Sequence, residues 1–177
     1  MSQPCRSYDV DVASTPYDLA GGGARAVLEE SPGVNRRYHD RWSLAMSLTQ
    51  LGHVSLADSD HTRAQALLAE AASQFADIGN LMFVPWCLEG LAGVAAARGD
   101  NERAPSRSAA RDALRAQIGV LLPPMHPAAY ARTLAAIRTS LTPAAFDAAR
   151  ARPADQTPQQ IITAATSSQN SPPRSSQ

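Results

Sequence analysis

Four arginines recur at every fourth position in the second half of the chain, a spacing that suits the binding of anions. They are Arg103, Arg107, Arg111 and Arg115. Residues four apart share one face of a helix, so we expect these side chains to form a basic docking ridge, the arginine ridge, for an acidic partner or nucleic-acid phosphates. The alternative is a solvated face, because Asp100, Glu102 and Asp112 lie close by and 16 basic residues are matched by 16 acidic ones. Dedicated nucleic-acid binders usually carry a basic excess, and this chain has none.

Three aromatic residues form the second candidate site: Tyr38, Trp42 and Trp86. Arrays of helical repeats present concave surfaces that bind peptides or small effectors. We therefore predict a groove, lined by these rings, that binds a protein, a peptide or a small effector. The alternative is that the same rings pack in the core.

The residue types that catalysis requires are present, but they do not form a recognisable active site. His53 and His61 are eight residues apart, and no further ligands stand at a spacing suited to a metal ion. Cys87 follows Trp86 on a predicted helix and is expected to be packed rather than reactive. Every basic residue is arginine, so the lysine of a phosphate-binding Walker A loop and any Schiff-base lysine are absent. We predict a protein that is not an enzyme and uses no cofactor or metal.

The elements that hold these side chains are predicted to be helices. Hydrophobic residues make up 44% of the chain, which is enough for a core, and aromatic residues only 5%, so that core must consist mainly of Ala, Leu, Val and Ile. Ala is the strongest helix former, and the clusters typical of strands are scarce. No apolar run approaches the ~18 residues of a membrane span, and the first thirty residues do not resemble a secretion signal. Cys5 and Cys87 are far apart, which fits a reducing compartment, and we expect a cytoplasmic, all-α protein.

A repeat of 40 residues organises the centre of the chain. Eleven residues recur identically 40 positions later without a gap; the first members of these pairs are Leu48, Leu51, Val54, Ala57, Asp60, Arg63, Ala64, Ala69, Ala76, Ile78 and Gly79. Each repeat is predicted to contain two helices, with Asp40 as the first N-cap and Gly79 at the end of the second helix. Neither helix can bury its apolar stripe alone, so the repeats must stack into an α-solenoid.

The repeat pattern divides the chain into an irregular N-terminal segment, the helix pairs, a set of C-terminal capping helices and a disordered tail. Their predicted bounds are 1–22, 23–119, 120–166 and 167–177. Gly21, Gly22 and Gly23 are expected to act as a flexible joint before the first helix. Thr142 and Thr157, each followed by Pro, are predicted N-caps of the capping helices. The tail is rich in Ser, Gln and Pro, a composition that does not build a core.

Two prolines conflict with the repeat. Pro32 falls inside a required helix and Pro105 near the fifth position of another, and each is expected to cost about 3 kcal/mol. In the helix that contains Pro105, polar residues replace apolar ones of the preceding repeat: Arg107, Ser108 and Arg111 stand in place of Leu67, Leu68 and Ala71. We expect either an eroded last repeat or a helix that begins at Pro105 and turns a different face inward. That face consists of Ala110, Ala113 and Leu114.

Several segments resemble one known family. They are residues 24–31 with 40–45 as a repeat junction, 51–54 and 86–95 as first-helix signatures, and 118–124 with Tyr130 as a closing segment. The family is the tetratricopeptide-like C-terminal repeat region of bacterial, mainly actinobacterial, LuxR-type or predicted-ATPase transcriptional regulators. The resemblance covers roughly residues 23–166, and its specific part is the block Trp-Cys-Leu-Glu-Gly-Leu-Ala at 86–92 together with the Pro-Pro segment at 123–124.

The resemblance implies antiparallel tetratricopeptide-like helix pairs and a role in a signal-responsive regulator. The nucleotide-binding and helix-turn-helix parts of such regulators are not found, so the chain resembles the helical array alone, from a truncated or stand-alone gene. We expect a non-catalytic module that binds a protein, a peptide or a small effector, with self-association through the ends of the array as a further option. The alternatives are a non-functional gene fragment that folds marginally, and weak binding of nucleic acid or an acidic partner through the arginine ridge.

Overall fold

Eight α-helices make up the part of the chain that the computed structural model describes, which comprises residues 22–119, 122–151 and 156–167. A short 3-10 helix, Leu81–Phe83, precedes the fourth, and no strand occurs in these ranges. The predicted all-α class is therefore confirmed. In chain order the helices are α1 Gly22–Arg37, α2 Arg41–Ala57, α3 His61–Asp77, α4 Val84–Ala97, α5 Arg103–Ile118, α6 Pro127–Ser140, α7 Pro143–Ala151 and α8 Pro158–Thr166.

Local signals place the ends of the central helices. Asp40 and Asp60 cap α2 and α3, and each carboxylate accepts a hydrogen bond at 3.0 Å from the backbone N–H three residues further on. Gly79, Gly99 and Gly119 follow α3, α4 and α5 with φ of +72°, +69° and +67°. This left-handed conformation suits glycine and ends a helix. The predicted cap at Asp40 and the predicted stop at Gly79 are both confirmed.

The helix α4 lies at the centre of the described structure. Successive helices from α1 to α5 each pack against the next, and both α2 and α6 also contact α4. All residues from Val84 to Ala95 except Trp86 are buried. The main core joins apolar side chains of α2, α3, α4 and α5, and Phe75 of α3 is the largest of the fully buried ones.

Two glycines allow α2 and α4 to approach α3 closely. A Cβ atom at Gly52 would lie 2.5 Å from Cγ of Leu68, and a Cβ at Gly90 would lie 2.6 Å from Cδ1 of the same side chain. Leu68 is fully buried. Its side chain therefore fills the space that the two missing Cβ atoms leave.

The two prolines occupy different kinds of position. Pro32 lies inside α1, as predicted. Pro105 is the third residue of α5, which begins at Arg103, so the predicted start at Pro105 is wrong. The first four backbone N–H groups of a helix have no partner within it, so the expected loss of about 3 kcal/mol does not arise at Pro105.

The orientation of α5 also corrects the sequence prediction. Arg107 and Ser108, which stand in place of two leucines, are only 4% and 1% exposed. Ala110 and Leu114 are buried as well. The buried face of α5 is therefore wide rather than rotated, because α4 covers one side of the helix and α7 and α8 cover another. The last repeat keeps its inward face and carries polar side chains on it.

The last helix folds back over the earlier ones. α8 packs on α3, α4 and α5, and we call the surface that these three helices present to it the α8 groove. Ile161, Ile162 and Ala165 join the main core from α8. Thr157 caps the helix through a reciprocal pair of hydrogen bonds with Gln160, so the predicted N-cap is confirmed.

The structure tests only some of the predictions made for the two ends of the chain. Gly22 and Gly23 are the first residues of α1, so they do not form the predicted flexible joint. Residues 1–21 and 168–177 lie outside the described residues, and with them the predictions of an irregular N-terminal segment and a disordered tail.

Candidate functional site

Phe83 joins Trp42 and Trp86 into one row of rings. The ring centroids of Trp42 and Phe83 are 6.0 Å apart in an edge-to-face arrangement, and those of Phe83 and Trp86 are 5.1 Å apart. Phe83 also contacts the buried ring of Phe75 at 5.5 Å. We call Trp42, Phe83 and Trp86 the aromatic row. It anchors the turn between α3 and α4 to the start of α2.

The outer end of the aromatic row is exposed. Trp42 is 44% exposed, and Met82, next to Phe83 in the chain, is 42% exposed. Trp86 is half-buried, and its indole N–H donates a hydrogen bond to the carbonyl of Pro123 at 2.9 Å. Tyr38 is 76% exposed and stands apart from the ring contacts within the described ranges. The structure thus brings together two of the three predicted groove residues, through a ring that the sequence did not single out.

An open pocket of about 340 Å³ lies beside the start of α2. Its lining residues are Asn35, Arg36, His39, Asp40, Arg41, Leu44, Glu70 and Gln74. Arg36 is paired with Glu70 at 2.5 Å, and Arg41 is paired with Asp77 at 2.8 Å. Both guanidinium groups are therefore already neutralised, and the pocket offers polar contacts without a surplus of positive charge.

The two middle side chains of the arginine ridge are turned toward the interior. Arg107 is 4% exposed and the side chain of Arg111 is 11% exposed. Arg115 donates to the carbonyl of Leu122, and Arg103 lies 3.7 Å from a neighbouring aspartate. The four guanidinium groups bind groups of this chain, so they do not form the exposed strip expected from their spacing. The reason is that α5 is covered on two sides, which spacing along one helix cannot reveal.

Glu89 is the buried partner that sequence reasoning missed. It lies within α4, is 3% exposed, and accepts hydrogen bonds from Arg111 at 2.8 and 2.9 Å and from the backbone N–H of Met125 at 3.1 Å. Burial raises the pKa of Glu89, and Arg111 acts against that rise. These N–H donors favour the ionised form of the carboxylate. The sequence did contain a signal for this residue, since Glu89 is the only charged residue in the apolar stretch from Val84 to Ala97 and a charge in such a stretch needs a partner.

A polar network extends from this pair across the packed helices. The guanidinium of Arg111 lies 4.8 Å from the ring centroid of Tyr130 and donates a hydrogen bond to Asp112. The hydroxyl groups of Tyr130 and Ser108 are 3.0 Å apart. Burial raises the pKa of Tyr130, so its hydroxyl is neutral. The network links α4, α5, α6 and the connector before α6, which identifies its role as joining elements.

Arg107 binds two backbone carbonyls from different helices. Its Nε donates to the carbonyl of Ala165 in α8 at 3.0 Å, and its Nη1 donates to the carbonyl of Leu91 in α4 at 3.1 Å. Nη2 has no hydrogen-bond partner among the described residues. Burial lowers the pKa of Arg107 to about 10, so the group remains charged at neutral pH. Position 107 therefore holds a buried cation whose bonded partners are neutral carbonyls.

Two histidines that lie far apart in the sequence form an edge-to-face pair. The ring centroids of His53 and His126 are 4.9 Å apart, and Nε2 of His53 lies 3.0 Å from the carbonyl of Trp86. Burial and, to a lesser extent, the neighbouring His126 lower the pKa of His53 to about 4, and burial also lowers the pKa of His126. Because His53 is neutral, Nε2 carries its proton and donates to the carbonyl.

The remaining side chains considered for catalysis or metal binding do not form a reactive site in the described residues. Cys87 is buried, burial raises the pKa of its thiol to about 12, and the hydroxyl of Thr49 lies 3.5 Å away. The thiolate is the reactive form of cysteine, so this thiol is a poor nucleophile at neutral pH. Within the described ranges, His, Cys, Asp and Glu side chains form no group of three or more that could hold a metal ion.

Comparison with known proteins returned no match to a family model, to a curated protein or to a solved structure. Of the helices in the described residues, none is both long enough and apolar enough to cross a membrane.

Proposed function

We propose that this protein is a non-catalytic, tetratricopeptide-like helical-repeat module that binds a protein or peptide through the aromatic row. The observation that carries the proposal is the exposed ring of Trp42, held edge-on by Phe83. Trp is enriched at binding hot spots, and a ring already held in place loses little conformational entropy when a partner arrives. The exposed Met82 adds a flexible apolar side chain that can adapt to a partner surface.

The 40-residue repeat and the packing of successive helices support the tetratricopeptide-like part of the proposal. Helices α2 and α4 occupy equivalent positions in the two repeats and contact each other, as stacked repeats require. The family resemblance leads us to propose further that the module serves a signal-responsive transcriptional regulator in the cytoplasm. In that role the array is the part that holds a partner protein or effector.

The state of the reactive side chains supports a non-catalytic role. The thiol of Cys87 is protonated and buried, burial keeps His53 neutral, and Glu89 is paired with an arginine. None of the three lines the pocket beside α2. Direct binding of nucleic acid is not part of the proposal, because the arginine ridge is occupied by groups of the chain itself.

The test is a selection of peptides from a displayed random library against the purified chain, followed by titration with variants. Trp42→Ala is expected to weaken the selected peptides at least tenfold, a loss of about 1.4 kcal/mol or more. Arg36→Ala, in the neighbouring pocket, is the matched control and should leave the affinity within about twofold, since exposed ion pairs contribute little. In a Trp86→Phe background the emission of Trp42 reports binding directly.

Folding of each variant is checked by far-UV circular dichroism during a thermal melt. Equal affinities of the wild-type chain and Trp42→Ala for every selected peptide would remove the aromatic row as the docking surface. A wild-type chain with weak helicity and no cooperative transition would favour the alternative of a marginally folded fragment.

A further inference from the structure

The C-terminal end of α8 contacts the guanidinium group of Arg107, and not all hydrogen-bond donors of that group have an acceptor. The last four carbonyls of a helix lack partners within it, and the carbonyl of Ala165 is one of these. Arg107 supplies Nε to it at 3.0 Å, while Nη2, on the same edge of the guanidinium plane, has no partner among the described residues. One carbonyl oxygen occupies half of this edge. A carboxylate at the same place would accept from both nitrogens, the arrangement that guanidinium groups favour.

The rest of the α8 groove is apolar. Ile161, Ile162 and Ala165 of α8 pack into a core that includes Phe75 of α3 and Leu114 of α5. The spacing of these three side chains defines a short amphipathic helix. The groove therefore binds the apolar stripe of a helix along its length. At the C-terminal end of that helix it presents the buried guanidinium group of Arg107.

Two features weaken the docking of α8 in its groove: its short length and the buried charge of Arg107. α8 has nine residues, and helices shorter than about 12–15 residues are marginal on their own. When α8 docks, it buries the charge of Arg107 and offers only a neutral carbonyl in return, which opposes docking. A helix with the same apolar stripe and a carboxylate at its end avoids this penalty.

We propose that the α8 groove is a binding site for an amphipathic helix of a partner protein that brings a carboxylate to the position of Ala165, and that α8 is an internal competitor for this site. The partner repeats the apolar spacing of Ile161, Ile162 and Ala165 and adds the negative charge that α8 lacks. An α8 helix from a second copy of this chain would place the same neutral carbonyl beside Arg107, so exchange between copies does not supply the negative charge. The site is separate from the aromatic row and stands whether or not that row binds a peptide.

The test uses a fluorescent peptide with the sequence of residues 156–165, made with a free C-terminal carboxylate and, as a control, with a C-terminal amide. In the full chain carrying Ile161→Asp, which weakens docking of its own α8, the free acid is expected to bind at least about tenfold more tightly than the amide. The wild-type chain should bind the acid more weakly than this variant, because its tethered α8 competes at a high effective concentration.

Two variants of the same helix assign the effect to one side chain. Arg107→Leu restores the residue type found 40 positions earlier and should make the acid and the amide bind equally. Arg103→Leu also removes one arginine of α5 but should preserve the difference. Equal binding of acid and amide to the Ile161→Asp chain, or an unchanged difference in Arg107→Leu, overturns the proposal.

Hydrogen exchange on the wild-type chain gives a readout that does not depend on the Ile161→Asp variant. At high concentration, the free acid should accelerate exchange of the amides of residues 159–166 while α3, α4 and α5 stay protected. Amides of α8 that remain protected with the peptide bound would contradict the proposal. Formation of a dimer in response to the peptide, as α8 exchanges between copies, would contradict it too.

Discussion

Arg111 of α5 reaches Glu89 of α4 at 2.8 Å between Nη2 and Oε1, and the carboxylate that it meets is almost fully buried. The two residues are 22 positions apart and belong to helices that pack side by side. A buried ion pair adds little net stability compared with apolar residues of similar size, but loss of one partner leaves an uncompensated charge. The pair therefore penalises any packing of α5 that separates it from α4.

Removal of one partner should be much more damaging than removal of both. Arg111→Leu is expected to lower the free energy of unfolding by about 3–5 kcal/mol, because Glu89 then stays buried without a counter-charge. The double variant Glu89→Leu/Arg111→Leu should recover a large part of that loss. Urea unfolding followed by circular dichroism measures both. Arg36→Leu, which breaks an exposed pair with Glu70, is the control and should cost less than about 1 kcal/mol.

Stability is expected to fall as the pH drops below neutrality, and His53 should be a main cause. The pKa of this ring is 6.5 in the unfolded chain and about 4 in the folded one. Between these values the unfolded state binds the proton, so the contribution is present above pH 6.5 and is lost as the pH falls toward 4. The gap corresponds to about 3 kcal/mol.

The pH effect of His53 is isolated by a variant. His126 shifts in the same direction, whereas the raised pKa of Glu89 acts in the opposite direction and favours the folded state at lower pH. Urea unfolding of the wild-type chain and of His53→Gln between pH 7 and pH 4.5 separates these contributions. Gln can still donate to the carbonyl of Trp86 but does not titrate. Parallel pH curves for the two proteins would show that His53 is not the source.

Two glycine substitutions should act in opposite directions. Gly52→Ala places a Cβ 2.5 Å from Cγ of Leu68 and is expected to cost about 1–3 kcal/mol through overpacking. Gly33→Ala, in α1, meets nothing within 4 Å and should stabilise by about 0.5–1 kcal/mol, because Ala favours the helix. The measurement is the melting temperature of each variant. A stabilising Gly52→Ala would mean that Leu68 moves aside easily.

Cys87 should resist modification until the chain unfolds. In a Cys5→Ser background, which leaves one thiol, a thiol reagent at pH 8 is expected to react with the folded protein only at the rate of unfolding, because burial raises the pKa of Cys87 to about 12 and blocks access. Reaction in urea should be fast. The ratio of the two rates is the measurement, and rapid labelling without denaturant would show that α2 and α4 separate locally.

Much of the fold was predictable because it depends on local signals. Asp40 and Asp60 cap their helices three residues away, and the glycines at 79, 99 and 119 end helices through their own backbone conformation. The candidate site was harder to predict from the sequence. Trp42 and Trp86 were identified as residues of interest, but their connection through Phe83 depends on how the turn after α3 packs.

The sequence by itself determined an all-helical chain and the places where its central helices begin and end, since capping and helix propensity act within a few residues. The 40-residue repeat is directly visible as identities between positions 40 apart. Only the tertiary structure decided which way the arginines of α5 point. Arg111 finds Glu89 across 22 residues and Arg107 finds Ala165 across 58. A spacing of four along a helix places side chains on one face, but burial of that face depends on which helices cover it. That depends on the packing of the whole chain, which brings α8 back onto α5.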